Sequence, residues 1–415
     1  MRDSRDYRLL WSGQWVSYLG ARVSNVCYPL LALWVSGGSA GAASIVAFAV
    51  LACNMLQLPA GVLIDRIDRR VMMTVCSIGR AVALGCFAFL VGVQWSPLGV
   101  LLLALVVDSV LSILWALAER GAVHSVVPRP QLGIALAQNE MRGRVGTLVG
   151  APVGTLLYSA AMWAPFLASA VGAAVAAVAV AAIRADCSVQ RRTNSPRPQD
   201  LAHEVVDGLR FLAAERFLRI GVPLVALSSG LLQILHLALT VMIVTEQHRS
   251  PSVVGWVLAA GGAGGIVGAL CATRVLCRIP LGALVVIGIA GWAVLLAGTA
   301  ASESLIVTAI LLAIMSLIGA LFNVAASTYQ LVVTPAGLQG RVAGAASWVT
   351  SGVSAVGALG GGVLLERSDS AFSISVAAIA MLVLAVLAGT SRAIRHGRIP
   401  ALSELSVESS SEKES

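Results

Sequence analysis

Charge is scarce in this chain: 12% of its 415 residues are charged, against about 25% in an ordinary soluble domain. There is a single lysine, Lys413, and aromatics make up only 5%. The five histidines, His124, His203, His236, His248 and His396, stand singly. That scatter leaves no His-Glu-x-x-His pair from which an intramembrane protease or lipid-modifying enzyme would be built, so an enzyme is not expected. The seven cysteines (Cys27, Cys53, Cys76, Cys86, Cys187, Cys271, Cys277) lack metal-ligand spacing and imply no disulfide framework. They read as small buried hydrophobes. A phosphate-binding loop is also missing. The glycine clusters Gly261, Gly262, Gly264, Gly265, Gly268 and Gly357, Gly360, Gly361, Gly362 follow no strand and end in no Gly-Lys-Ser/Thr, so they read as close helix packing. No cofactor or metal is expected, and an ion gradient is the expected energy source.

Apolar sequence fills the space that charge leaves. With 58% hydrophobic residues and a mean hydropathy of +0.89, the chain belongs in a lipid bilayer. The long runs do not alternate as barrel strands would. Since roughly 20 apolar residues cross the hydrocarbon, the length holds about 12 helical spans. We place them at 9–34, 41–64, 71–93, 97–118, 132–159, 163–183, 217–244, 252–273, 280–300, 304–328, 337–364 and 371–391. Two copies of one pattern run in step: Gly61 and Gly268, Pro128 and Pro335, Gly150 and Gly357 are each offset by 207 positions. The expected fold is therefore an all-α membrane protein of twelve transmembrane helices in two pseudo-symmetric six-helix bundles. Residues 1–183 would form the first bundle, 184–216 a cytoplasmic linker with an amphipathic helix, 217–391 the second bundle and 392–415 a disordered tail.

A net charge of +8 suggests a nucleic-acid partner until the basic residues are placed. Arg2, Arg5 and Arg8 precede span 1. Arg66, Arg69 and Arg70 follow span 2, Arg120 and Arg129 span 4, Arg184, Arg191, Arg192 and Arg197 span 6, Arg274 and Arg278 span 8, Arg341 span 10, and Arg392, Arg395 and Arg398 span 12. The opposite turns offer only Arg249 and Arg367. Positive charge concentrates on the cytoplasmic side, so both termini are expected inside a cell membrane, with no nucleic acid involved. From Asp200 to Arg219, Leu201, Val205, Leu209 and Leu212 recur at helical period, which predicts a helix lying on the cytoplasmic membrane surface.

Polar residues inside spans are costly, at least about 2.5–3.5 kcal/mol for a charge at the midplane, and so point to function. Span 4 carries Asp108, Ser112, Trp115 and Glu119 on one helical face, and span 7 carries Ser229, Gln233, His236 and Thr240 at the same spacing. Span 1 adds Gln14, Tyr18, Arg22 and Asn25, and span 10 adds Ser316 and Asn323. Burial penalises the charge on Asp108 and a cation would favour it, the tension a proton carrier needs. Arg22 is its expected partner. Glu140 and Arg144, four apart in span 5, suit a gate or a structural pair, and Glu119 is placed to meet Arg69.

After span 2 the chain reads Gly61-Val-Leu-Ile-Asp65-Arg66-Ile-Asp68-Arg69-Arg70, which resembles the loop 2–3 signature of the major facilitator superfamily. Asp68 departs from it, where the family usually has glycine. Further segments are similar to macrolide-efflux and enterobactin-exporter-like permeases: Val126 to Leu132 leading to Ala137-Gln138-Asn139, Gly208-Leu209-Arg210-Phe211-Leu212, and Gln330 to Pro335 with Gly340-Arg341-Val342. The resemblance implies a cavity lined by spans 1, 4, 7 and 10 and a cytoplasmic gate in which the acid matching Asp65 meets the start of span 11. An arginine matching Arg69 or Arg70 would tie neighbouring helices. It also implies a monomer that exports an amphipathic small molecule, a drug, antibiotic or natural product, in exchange for protons. The Gly150-Ala151-Pro152-Val153-Gly154-Thr155 run shifts the proline of the antiporter element in span 5 and loses its last glycine. A siderophore or metabolite exporter, or a uniporter, is the alternative.

Overall fold

The computed structural model describes residues 5–57, 60, 68–126, 132–182, 198–335 and 337–395. Among them the chain is helical from end to end. In order the helices are α1 (Arg5–Val35), α2 (Ala40–Asn54), α3 (Arg69–Gly92), α4 (Leu98–Val126), α5 (Leu132–Ala160), α6 (Ala164–Ala181) and α7 (Pro198–Ala214). They continue as α8 (Arg216–Val241, ending in a π turn at Met242–Glu246), α9 (Pro251–Leu276), α10 (Leu281–Ala300), α11 (Leu305–Val333), α12 (Gln339–Arg367), α13 (Ser370–Thr390) and α14 (Arg392–Arg395). Among the described residues nine helices are long and apolar enough to cross a membrane, and Ala40–Asn54 and Val145–Ala160 are shorter apolar helices.

Helix ends follow local chemistry, and several depart from the expected bounds. The α4 helix continues past residue 118 to Val126, because the first proline in its path is Pro128. The α2 helix is interrupted by a turn at Met55 and Leu56, beyond which Gln57 and Ala60 are again helical, and residues 61–64 of the expected span lie outside the described residues. The amphipathic helix expected over 200–219 is two helices. Glu215 breaks it, because its carboxylate accepts the Leu218 N–H at 2.6 Å and so starts α8 afresh. Asp68, the departure from the family signature, caps α3 by accepting the N–H groups of Arg70 (2.8 Å) and Val71 (3.2 Å). Between α1 and α2, Gly37 and Gly38 take φ of +68° and +97°, a tight turn that side chains disfavour, and Ser39 then caps α2.

The chain packs as two compact units. The first comprises Met1–Leu201, Leu239–Ala259 and Ala358–Arg367. Within it α1 lies against α6, where the Ser169 hydroxyl donates to the Gly20 carbonyl, and against α5, where Gly150 meets Arg22 and Gly154 meets Val23. Tyr28, Phe87 and Phe166 from α1, α3 and α6 form an aromatic cluster with centroids 4.9–6.2 Å apart. At the end of α12, the Glu366 carboxylate accepts from the Ser39 hydroxyl (3.0 Å) and the Gly41 N–H (3.2 Å) at the start of α2.

The second unit comprises Ala202–Ala238, Ala260–Gly357 and Ser368–Ser415. In it Trp292 of α10 donates to the Met315 carbonyl at 2.8 Å and packs edge-on against Phe322 of α11. The α7–α8 corner is fastened from two sides. Tyr329 of α11 donates to Glu215 at 3.1 Å and packs at a tilt against Phe217, while Arg341 of α12 pairs with Asp207 at 3.3 Å. Gly208 sits directly on the Arg341 backbone. The helix expected on the membrane surface is thus docked along one side on protein.

Candidate functional site

The polar centre of the first unit is an ion pair between neighbouring antiparallel helices. Arg80 of α3 donates through Nε to Asp108 Oδ1 of α4 at 2.8 Å, and the two side chains are 3% and 4% exposed. A second nitrogen of Arg80 donates to the Ser17 hydroxyl of α1 at 3.1 Å, and the Tyr28 hydroxyl reaches Asp108 Oδ2 at 3.5 Å. Three helices therefore share one charge pair. Burial of both partners in an apolar environment makes each dependent on the other, because either charge alone would be uncompensated. Among the described residues the remaining Arg80 terminal nitrogen, the Ser77 hydroxyl and the Trp115 indole N–H are buried without a hydrogen-bond partner.

This geometry corrects the expected partnership of Asp108 with Arg22. The Arg22 guanidinium instead donates to the Tyr18 hydroxyl, from Nε at 3.0 Å and from one terminal nitrogen at 2.6 Å, and lies 4.9 Å from the centre of the Tyr18 ring. Helix face explains the choice. Ser17 and Tyr28, which touch the pair, bracket Arg22 along α1, but Arg22 is turned toward Gly150 of α5, while Arg80 and Asp108 stand on adjacent helices and face each other. Arg80 was the missing residue of the sequence reading. The signal was available, since it is the one charged residue within 71–107 of the sequence.

The other expected site residues divide by environment. On α4, Ser112 folds its hydroxyl back to the Ser109 carbonyl (2.9 Å), while Trp115 and Glu119 are 4% and 5% exposed. Along the face that continues from Asp108, Ser112 is half-buried and Trp115 and Glu119 are buried. On α1, Gln14 is buried, whereas Tyr18, Arg22 and Asn25 are half-buried. In the second unit Ser229 bonds the Val225 carbonyl (2.8 Å), Gln233, Thr240 and Ser316 are half-buried, and His236 and Asn323 are exposed. Of the gate residues, Gly61, Asp65 and Arg66 lie outside the described residues, as do the side chains of Glu140 and Arg144. Arg69 is half-buried at the start of α3, and Gly340 is exposed at the start of α12, next to the Arg341 that pairs with Asp207. Arg70 donates to the Ala181 carbonyl at 2.6 Å, fastening α3 to the C-terminal end of α6. That is favourable placement for a cation.

Long apolar helices around a buried charge pair define a multi-pass helical membrane protein, and its overall fold is that of the major facilitator transporters. The nucleoside transporter NupG superposes with a TM-score of 0.74 at 13% identity, over 92% of this chain and 98% of NupG. The chain belongs to the transmembrane secretion effector family of the major facilitator superfamily, whose sequence profile matches residues 3–411. It is 27% identical over 317 residues to YfiS, an MFS-type transporter of Bacillus subtilis, a match covering 74% of this chain and 73% of YfiS. It is also similar to the multidrug efflux pump Tap of Mycobacterium tuberculosis, 28% identical over 274 residues, or 63% of each protein.

Proposed function

We propose that this protein is a twelve-span, two-bundle exporter of the cell membrane, with cytoplasmic termini, that moves an amphipathic small molecule outward in exchange for protons. The observation that carries this reading is the buried Arg80–Asp108 pair. When Asp108 takes a proton, Arg80 loses its counter-charge in a water-poor interior. A cation in that position must find new acceptors, and the helices joined at the pair, α1, α3 and α4, must rearrange to supply them. When Asp108 releases the proton to the cytoplasm, the pair re-forms. One charge carried through about 100 mV yields about 2.3 kcal/mol, roughly fifty-fold accumulation, so a single site drives useful export. Tap, named as a multidrug efflux pump, supports a drug or natural product as cargo. Arg70 of α3, bound to the Ala181 carbonyl of α6, and Arg341 of α12, paired with Asp207 of α7, each brace the cytoplasmic end of their own unit.

The test is uptake of a panel of amphipathic dyes into proteoliposomes under an imposed pH gradient. Wild type is expected to accumulate at least one dye with the gradient, and Asp108→Asn to lose that accumulation while still exchanging dye across equal pH. Unchanged gradient-driven accumulation in Asp108→Asn would remove Asp108 from the coupling role. A wild type that equilibrates dye without responding to the gradient would leave a uniporter.

A further inference from the structure

With Asp108 committed to Arg80, Arg22 has no counter-ion among the described residues. No carboxylate among the described residues lies within ion-pair distance of it; its partner is the neutral Tyr18 hydroxyl. It sits near the middle of its span, 13 residues from residue 9 and 12 from residue 34, about 18–20 Å from either end at 1.5 Å per residue. That is too deep for the side chain to snorkel to a membrane surface. An uncompensated charge there costs at least about 2.5–3.5 kcal/mol, and such residues mark ligand or ion pathways.

Its surroundings hold it ready. Gly150 of α5 packs directly on the Arg22 Cβ, so the root of the side chain is fixed, and the Tyr18 ring and hydroxyl set the guanidinium's plane. One terminal nitrogen of Arg22 makes no hydrogen bond among the described residues. The same face of α1 carries Gln14, Tyr18 and Asn25, a polar stripe unsuited to lipid. Half-buried and preoriented, this guanidinium matches the planar oxygens of a carboxylate, sulfonate or phosphate, and it repels cations.

We propose that Arg22 is the anchor for an anionic group on the transported amphiphile, so that the exporter selects acidic over basic cargo. The proposal rests on the exporter reading for its cargo, but its test needs no gradient. Purified protein in lipid nanodiscs is titrated with anilinonaphthalenesulfonate and with phenylnaphthylamine, which shares its rings and lacks the sulfonate, and empty nanodiscs are subtracted. Wild type is expected to bind the sulfonate more tightly than the amine. Arg22→Gln is expected to weaken the sulfonate by about tenfold to a hundredfold, the scale of one charge-assisted contact, and to leave the amine unchanged. Arg22→Lys, which keeps the charge, retains part of the preference. Tyr18→Phe, which frees two guanidinium N–H groups, keeps or tightens sulfonate binding. A wild type with no preference for the sulfonate, or an Arg22→Gln protein that binds both probes as wild type does or loses both equally, overturns the proposal. Failure of the exporter reading shows separately, as absence of dye accumulation in proteoliposomes.

Discussion

Two arginines in the first unit meet opposite fates, and the difference is one of partner. Arg80 faces an acid at its own depth and forms a dry ion pair, whereas Arg22 rests on a phenol. A buried pair stabilises less than its Coulomb attraction suggests, because both ions surrender their hydration, but breaking it from one side is costly. Arg80→Met, which leaves Asp108 unpaired, is expected to destabilise the protein by about 3–5 kcal/mol, and the double variant Arg80→Met/Asp108→Leu to recover most of that loss. Thermal unfolding in detergent measures both, and equal losses in the single and double variants would mean that the pair's charges do not govern the site. Sequence reasoning found Asp108 from the cost of a buried charge alone. It misassigned the partner because helix adjacency and the face of α1 that each residue occupies decide pairing, and polarity within a span reports neither.

At the scale of the helix, the long apolar runs were legible from hydropathy, and nine of the described helices are long and apolar enough to span a membrane. The ends were less legible, since caps set them. Asp68 replaces the family's glycine with a side chain that accepts from two free N–H groups of α3. Asp68→Ala is expected to cost about 0.5–2 kcal/mol of local stability, and Asp68→Gly only a few tenths. Hydrogen exchange should show the Arg70 and Val71 amides exchanging faster in the alanine variant, while amides near Phe87 stay protected. The break at Glu215 was not legible at all. Its carboxylate serves Leu218 in sequence and Tyr329 from more than a hundred residues away, and only the tertiary contact shows why the helix should stop there.

Across the whole molecule the duplicated pattern becomes duplicated packing. Gly150 of α5 meets Arg22 on α1, and its counterpart 207 positions on, Gly357 of α12, meets the Gly230 backbone on α8. Span 5 thus leans on span 1 as span 11 leans on span 7, each through a glycine at the same place in its repeat. Small residues matter here because lipid gives apolar helices no reason to associate, so close backbone approach must supply the attraction. A methyl group at Gly357 would fall on the Gly230 backbone, whereas at Gly360, three residues along the same helix, it meets open space. Gly357→Ala is expected to cost about 1–3 kcal/mol by overpacking and Gly360→Ala almost nothing, a contrast that thermal unfolding reads directly. Gly150→Ala should cost as much as Gly357→Ala. It alone should also weaken anilinonaphthalenesulfonate binding, because it displaces the root of Arg22, whereas the atoms nearest Gly357 are those of the Gly230 backbone. Equal sulfonate affinity in the two variants would show that the position of Arg22 does not depend on the α1–α5 contact.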